Sequence, residues 1–258
     1  IGFGVSMGDW WAGMLQAHGH AQLMGWTGMF IMGISLHFVP RLSGHPLRFQ
    51  RLRPWILTTF SAGILTRIIV QPILHLSDDL RWGMAISGSL EVVGVFLYLL
   101  LLLSSVLGAT SDRSALKSVR VFFLMAVFGW ISYTLTNVFL CFQILVGNEN
   151  LVEIGWNRFG IDIFTGWVLL PIAFAFSVRT FPLYLRLPAP DWPIRRLGFV
   201  YLASVLLVQL PTLFRLQDLS FLNAFWISGV GRVMKGGALL YLIWRLNVLF
   251  RTHSPWTV

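Results

Sequence analysis

WGMAISGSLEVVGVFLYLLLLLSSVLG, residues 82–108, contains a single charged side chain, Glu91, in an otherwise apolar and glycine-rich run. A helix that crosses a membrane needs about 20 mostly apolar residues, so this run is long enough to cross a bilayer. It lacks the strict alternation of apolar and polar residues that a strand of a membrane β-barrel shows. The pattern therefore predicts a transmembrane α-helix.

The rest of the chain repeats this character. Of its 258 residues, 56% are hydrophobic and 11% are charged, whereas a soluble domain carries about 25% charged residues. Six further stretches qualify as spans: 18–40, 54–75, 119–146, 158–182, 196–214 and 221–249. We predict an all-α polytopic membrane helix bundle of about seven transmembrane helices, forming a single domain over 1–258. Residues 1–17 are expected to be an external segment, and Ile1 in place of methionine suggests an incomplete N-terminus.

The net charge of +9 comes from loops rather than from a face that would suit nucleic acid, which we exclude as a partner. The basic residues fall in connections that alternate along the chain: Arg41, Arg48, Arg51 and Arg53; Arg113, Lys117 and Arg120; Arg186, Arg195 and Arg196; and Arg251. Basic loops face the cytoplasm in membrane proteins. We therefore predict an external N-terminus, a cytoplasmic C-terminus and a location in a bacterial inner membrane.

Two stretches of the chain resemble each other. MGWTGMFIMGISLHFVPRL (24–42) and FTGWVLLPIAFAFSVRTFPLYL (164–185) both carry Gly-Trp near one end and Phe, Pro and Arg near the other. Membrane proteins are often built from duplicated halves, so the pattern suggests a weak internal repeat. The second copy has Phe159 and Ile161 where the histidines of the first copy would fall.

Three histidines are expected at the outer ends of the first two spans: His18, His20 and His75. A neutral imidazole is a good ligand for haem iron or copper, so these residues are the candidate metal ligands. Residues i and i+2 of an α-helix lie about 200° apart, so His18 and His20 should point in opposite directions. The alternative is that each histidine only reaches interfacial water. The chain has a single cysteine, Cys141, so it cannot form an internal disulfide. One thiolate is also too few for a cysteine-based zinc or iron–sulfur site.

Charged residues inside the predicted spans are the candidate cofactor-binding residues: Arg67, Glu91 and Arg232. Such residues are costly in lipid and indicate function by default. Arg67 and Glu91 lie at similar depth on neighbouring helices, so they could form an ion pair. Arg67 or Arg232 could instead hold haem propionates, because a guanidinium matches carboxylate geometry. The alternative for Arg67 and Glu91 is a pair that only fixes helix register.

HGHAQLMGWTGMFIMGISLHFVPRLSG (18–44) resembles the first histidine-bearing helix of NnrS-family membrane proteins, and GHPLRFQRLRPWILTTFSAGILTRI (44–68) resembles the segment that follows it. The first helix is also similar to the second helix of haem–copper oxidase subunit I. The resemblance covers residues 15–72. It implies one haem b, with copper as a possible second metal, and His18 and His75 as the axial pair with His20 in reserve.

The resemblance further implies a role in electron transfer or in binding nitric oxide or another small gas. No histidine lies between His75 and His253, so a complete oxidase or reductase is not expected. Three other functions stay open. The chain could be a membrane anchor or quinol-side subunit of a larger respiratory-type complex with a redox partner, with or without haem. It could be a retinal protein that uses Lys235 and Glu91, or a transporter without a cofactor.

Overall fold

The structure is a computed structural model that describes residues 8, 10–107, 116–147, 149–185, 190–216 and 224–246. Every regular element in these residues is helical, which confirms the predicted all-α class. The α-helices are α1 (Trp10–His20), α2 (Met29–Ser43), α3 (Arg53–Val70), α4 (Arg81–Val106), α5 (Leu116–Val146), α6 (Ile154–Ile163), α7 (Leu170–Tyr184), α8 (Ile194–Leu216) and α9 (Ala224–Arg245). Two π-helical segments, Ala21–Gly28 and Phe164–Leu169, join α1 to α2 and α6 to α7. Short 3-10 helices cover Gln50–Leu52, Gln71–Leu76 and Asp78–Leu80.

Six continuous helical stretches within the described residues are long and apolar enough to cross a membrane, so the chain has the character of an integral membrane protein. They are Trp10–Ser43, Gln50–Leu76, Asp78–Val106, Lys117–Val146, Ile154–Pro182 and Ile194–Phe214. The first begins at Trp10, so residues 10–17 of the expected external segment are helical. The seventh predicted span, 221–249, corresponds to α9, and its two ends lie outside the described residues. Ile1, Arg113, Arg186, Arg251, His253 and Val258 also lie outside them.

The predicted domain contains two compact units. Unit 1 comprises the described residues of Ile1–Leu116 and Gly129–Phe164, and unit 2 those of Lys117–Phe128 and Thr165–Val258. All of the candidate site residues named above except Arg232 and Lys235 belong to unit 1.

Close contact between α3 and α4 positions the centre of unit 1. A Cβ atom added at Gly63 would lie 2.9 Å from Glu91 Cγ and 2.9 Å from the Ser87 carbonyl oxygen. A Cβ atom at Gly94 would lie 2.8 Å from Phe60 Cβ. Small residues let membrane helices approach this closely. The two glycines therefore bring Glu91 of α4 against the backbone of α3.

The first helix is held in unit 1 by a second close approach. A Cβ atom at Gly13 would lie 2.6 Å from the Gln71 carbonyl oxygen, so α1 packs directly on the 3-10 helix Gln71–Leu76. Trp130 of α5 is buried and makes edge contacts with Phe60, Tyr98 and Phe164. These aromatic contacts hold α3, α4 and α5 together in unit 1.

Unit 2 has its own aromatic and glycine contacts. Phe174 of α7 packs against Phe122 and Tyr201, and the Tyr201 hydroxyl donates a 2.7 Å hydrogen bond to the Gly166 carbonyl. The Trp167 indole donates to Gln209. Unit 2 therefore has a packed aromatic interior in which the buried polar groups of Tyr201 and Trp167 have hydrogen-bond partners.

The two stretches that resemble each other in sequence also share local structure. Each begins in a π-helical segment with a Gly-Trp pair, Gly25-Trp26 and Gly166-Trp167. Each continues as an α-helix of 15 residues with a proline near its end, Pro40 in α2 and Pro182 in α7. The environments differ, because Trp26 is 81% exposed and Trp167 is buried.

Candidate functional site

A histidine and a glutamate are in contact in the interior of unit 1. His20, the last residue of α1, lies with Nε2 2.9 Å from Oε1 of Glu91 on α4. His20 is 7% exposed and Glu91 is 1% exposed. The Ser87 hydroxyl lies one helical turn before Glu91, 3.4 Å from the same carboxylate oxygen, and shares its single hydrogen between that oxygen and the Gly63 carbonyl at 2.8 Å. A buried carboxylate needs such donors, because desolvation without partners is costly.

Asn137 of α5 connects this pair to Arg67 of α3. The Arg67 guanidinium donates from Nη1 to Asn137 Oδ1 at 2.6 Å, and Asn137 Nδ2 donates to Glu91 Oε2 at 3.1 Å. Arg67 and Glu91 are thus in one cluster, as their equal depth in the sequence predicts. They do not form the direct ion pair that was expected, because the amide of Asn137 lies between them.

A second branch leaves Arg67 in the other direction. Its Nε donates to Gln71 Oε1 at 2.9 Å, and Gln71 Nε2 donates to Gln16 Oε1 at 2.8 Å. Gln16 of α1 then pairs with the backbone of Val152, donating to its carbonyl at 2.7 Å and accepting from its N–H at 3.1 Å. This branch fixes α1 against α3 and against the segment before α6.

Arg67 sets the direction of every hydrogen bond in both branches. A guanidinium has only donors, so Asn137 and Gln71 must turn their oxygens towards it and their NH₂ groups away. Glu91 therefore receives a donor from Asn137. With Glu91 ionised, its Oε1 atom can only accept, so His20 would carry a hydrogen on Nε2, and in the neutral imidazole Nδ1 is then the acceptor. The Tyr133 hydroxyl lies 3.4 Å from that Nδ1 atom.

Local sequence explains how these side chains come to face one another. Tyr133, Asn137 and Cys141 recur every four residues on α5 and so share one face of the helix. The Cys141 thiol is fully buried, 3.9 Å from Arg67 Nη1. The π-helical segment Ala21–Gly28 begins directly after His20, and π-helical turns inside α-helices are frequent at functional sites.

The cluster lies deep along its helices. His20 and Glu91 each lie ten residues from the start of α1 and α4, and an α-helix rises 1.5 Å per residue, so both are about 15 Å from those ends. Asn137 lies nine residues from the end of α5, or about 14 Å. A hydrocarbon core is about 30 Å thick, so the cluster falls near mid-depth of a bilayer.

A cavity of about 230 Å³ adjoins the cluster. Its polar wall consists of Gln16, His20, Arg67, Tyr133 and Asn137. Its other lining residues come from α1 and the following π segment (Leu15, Gly19, Leu23), from α5 (Thr136, Leu140), and from Val152, Asn157, Gly160 and Ile161. The cavity is therefore a place where a small molecule could meet the His20–Glu91 pair.

The predicted metal ligands do not gather. His18 is exposed and lines neither this cavity nor a second one of about 470 Å³. His75 is exposed, lines the second cavity, and has Nδ1 3.1 Å from the Pro72 carbonyl. Among the described residues, no group of three or more His, Cys, Asp or Glu side chains could hold a metal ion. Arg232, on α9, is exposed.

These positions do not fit a haem with His18 and His75 as axial ligands. Neither cavity is lined by more than one described histidine. The ring nitrogen Nε2 of His20 is directed at Glu91. A volume of about 230 Å³ is also below the roughly 300–1,000 Å³ of pockets that enclose drug-sized ligands, and a haem ring is no smaller than such a ligand.

Sequence reasoning named His20, Arg67 and Glu91 of this site and did not assign its other members. Tyr133 and Asn137 are polar residues in an apolar span, which is a usable signal, and both reach the site. Gln143 and Gln209, which carry the same signal, do not: Gln143 is exposed and Gln209 bonds Trp167. Gln16 and Gln71 went unnoticed because they lie near predicted span ends, where polar residues are common.

Comparison with known proteins adds no relative: protein-family models, curated proteins and solved structures gave no match to this chain.

Proposed function

We propose that this chain is an integral membrane protein that binds a small ligand beside His20 and exchanges a proton with it through the His20–Glu91 pair. The observation that supports the proposal is the 2.9 Å contact between His20 Nε2 and Glu91 Oε1, buried on both sides and next to a cavity. Ionisable residues inside membrane-spanning segments commonly form proton pathways. Histidine paired with a carboxylate is a frequent general acid–base arrangement.

The hydrogen-bond directions describe one route for the proton. A ligand hydroxyl in the cavity would take the place of the Tyr133 hydroxyl as the donor to His20 Nδ1, while the hydrogen on Nε2 moves to Glu91. Asn137 remains as a donor to the other carboxylate oxygen. Arg67, held one amide away, contributes a positive charge that offsets the negative charge of Glu91 in this low-dielectric region.

The proposal includes an orientation in the membrane. We place the N-terminus outside and the C-terminus in the cytoplasm of a bacterial inner membrane, with α9 as the seventh span. The basic residues of the loops support this orientation by the positive-inside rule. The cavity then opens towards the outer half of the bilayer.

Infrared difference spectroscopy on the purified protein in lipid vesicles tests the proton exchange. Lowering the pH should produce the carbonyl stretch of a protonated carboxyl group, and Glu91→Gln should remove this band. Glu153→Gln is the matched control, because Glu153 is exposed at the start of α6 and should leave the band in place. A pH response that is identical in the wild type and Glu91→Gln would refute the assignment to Glu91.

A second candidate is haem binding, with a role in electron transfer or in nitric oxide binding. It is supported by the resemblance of residues 15–72 to NnrS proteins. His20 is then the ligand to test, because His18 and His75 are exposed and line no common cavity. Its Nε2 atom would have to leave Glu91 in order to bind iron.

Absorption spectra of the detergent-purified protein, oxidised and then reduced with dithionite, separate the two candidates. A Soret band that sharpens on reduction and disappears in His20→Ala would establish the haem candidate. A colourless protein that retains its infrared response, with haem loss during purification excluded, would remove it. A visible band that hydroxylamine bleaches would instead indicate retinal.

A further inference from the structure

The cavity beside His20 opens sideways between α1 and α6. Leu15, Gly19 and Leu23 recur every four residues along one side of its mouth, and Ile161 lies on the other side. Leu15 is 53% exposed and Ile161 is 41% exposed, although both are apolar. Gly19 is exposed, and a Cβ atom there would meet nothing within 4 Å. The exposed lining residues at the mouth are therefore apolar or glycine, with Asn157 half-buried one turn before Ile161 on α6, and Gly19 leaves the mouth open.

The depth of this mouth indicates what lies outside it. Leu15 is five residues from the start of α1, which is about 7 Å along the helix, and Ile161 is seven residues from the start of α6, about 10 Å. Trp10 and Trp11 at the start of α1 are exposed, as tryptophans at a membrane surface are. The mouth therefore faces hydrocarbon, and a lipid-soluble molecule reaches it without crossing the protein.

The side chains on the inner wall of the cavity suit a ligand whose polar head has both hydrogen-bond donors and acceptors. His20 Nδ1 and the Tyr133 hydroxyl lie 3.4 Å apart on this wall, so a ligand that separates them meets an acceptor in Nδ1 and a donor in the hydroxyl. The Arg67 guanidinium, which also lines the cavity, is a second donor. A fatty acid carboxylate offers only acceptors and carries the same charge as Glu91, so it could not donate a hydrogen bond to His20 Nδ1. A hydroquinone offers two hydroxyl donors, and its oxidised form offers two carbonyl acceptors.

The dimensions also fit the head of such a molecule without its hydrocarbon tail. About 230 Å³ is smaller than a pocket that encloses a drug-sized ligand, so only a compact head can enter and an attached hydrocarbon tail must remain in the lipid.

We infer that the ligand of this cavity is a quinol, or the matching quinone, which enters from the bilayer between α1 and α6. The inference rests on the proposed function, since it names the ligand of the same site. One quinol O–H bond gives its proton to His20 Nδ1 while the Nε2 proton passes to Glu91. The quinol is left as a monoanion, which the Arg67 guanidinium faces. This description also fits a quinol-side subunit of a larger membrane complex.

Photoaffinity labelling of the full chain in lipid nanodiscs with a short-tailed azidonaphthoquinone tests the inference. Mass spectrometry should find the label on peptides of α1 and α6, and excess unmodified naphthoquinone should remove it. Excess oleate should leave it in place. Competition by oleate as strong as by naphthoquinone would overturn the quinone assignment in favour of a fatty acid.

The lateral entrance has a matched pair of variants. Gly19→Phe should fill the mouth and reduce labelling at least tenfold, whereas Gly33→Phe should not. Gly33 is the appropriate control because it is also exposed, in α2, with nothing within 4 Å of an added Cβ atom. Equal labelling of the two variants would refute entry between α1 and α6.

The infrared response of Glu91, recorded on the same nanodiscs, keeps this inference separate from the proposed function. A pH-dependent Glu91 band without quinone labelling would refute the quinone inference and leave the proton-exchanging site. Labelling without a pH-dependent Glu91 band would refute the proton-exchanging site and leave a cavity that binds quinone.

Discussion

Replacing Arg67 with methionine is expected to lower the free energy of unfolding by about 3–5 kcal/mol, the cost typical of leaving a buried charge uncompensated. Arg67 is 3% exposed and donates to both Asn137 and Gln71. Without it, a carboxylate at position 91 has no compensating guanidinium in the cluster, and two amides lose the group that orients them. Chemical unfolding in detergent micelles measures the change.

Three further variants show whether this loss arises from charge. Arg53→Met, at the exposed start of α3, should change the free energy of unfolding by no more than about 0.5 kcal/mol. Arg67→Lys should be intermediate, because an ammonium group keeps the charge but lacks the fork that bonds in two directions. Arg67→Met combined with Glu91→Gln should recover part of the loss, with a coupling free energy of about 1–3 kcal/mol.

Two results would contradict the prediction for the Arg67 variants. If Arg67→Met were as stable as Arg53→Met, the guanidinium would make no net contribution, and the buried hydrogen-bond network would not depend on it. If the single variant were unstable but the double variant recovered nothing, lost packing rather than unpaired charge would be the cause, since the stem of an arginine also fills space.

The helical spans could be predicted from sequence because length and hydropathy decide them. The start of the first span could not. Residues 10–17 contain Gly13 and Gln16, which lower the hydropathy of that segment. In the structure Gly13 admits the backbone of Gln71, and Gln16 bonds Val152, so both face protein rather than lipid. Hydropathy cannot distinguish a polar residue that is satisfied inside the protein from one that ends a helix.

Of the members of the candidate site, sequence reasoning named only Arg67, Glu91 and His20. Arg67 and Glu91 stand out in apolar sequence, and they lie in one cluster. The relation between His18 and His20 was also correct, because the helical angle places them on opposite faces: one is exposed and the other buried. Which of the two faces inward depends on Glu91, which lies 71 residues from His20 in sequence. Periodicity within one helix carries no information about that partner.

His20→Gln is expected to slow the infrared response of Glu91 to a pH jump by about 100-fold or more, the range that a positioned acid–base group contributes. A glutamine can still donate a hydrogen bond to Glu91, so this variant should stay within about 1 kcal/mol of the wild type in unfolding free energy. An amide does not take up and release protons at ordinary pH. Only the proton route between the cavity and Glu91 is therefore removed.

His18→Gln is the control for this variant, because His18 is two residues away and exposed. It should leave both the rate of the Glu91 response and the unfolding free energy unchanged. His20→Leu, which removes the donor altogether, should cost about 1–3 kcal/mol because Glu91 loses a buried hydrogen bond. A wild-type rate in His20→Gln would mean that protons reach Glu91 without His20. The pair would then be a structural contact between α1 and α4, and the cavity would have no proton acceptor of its own.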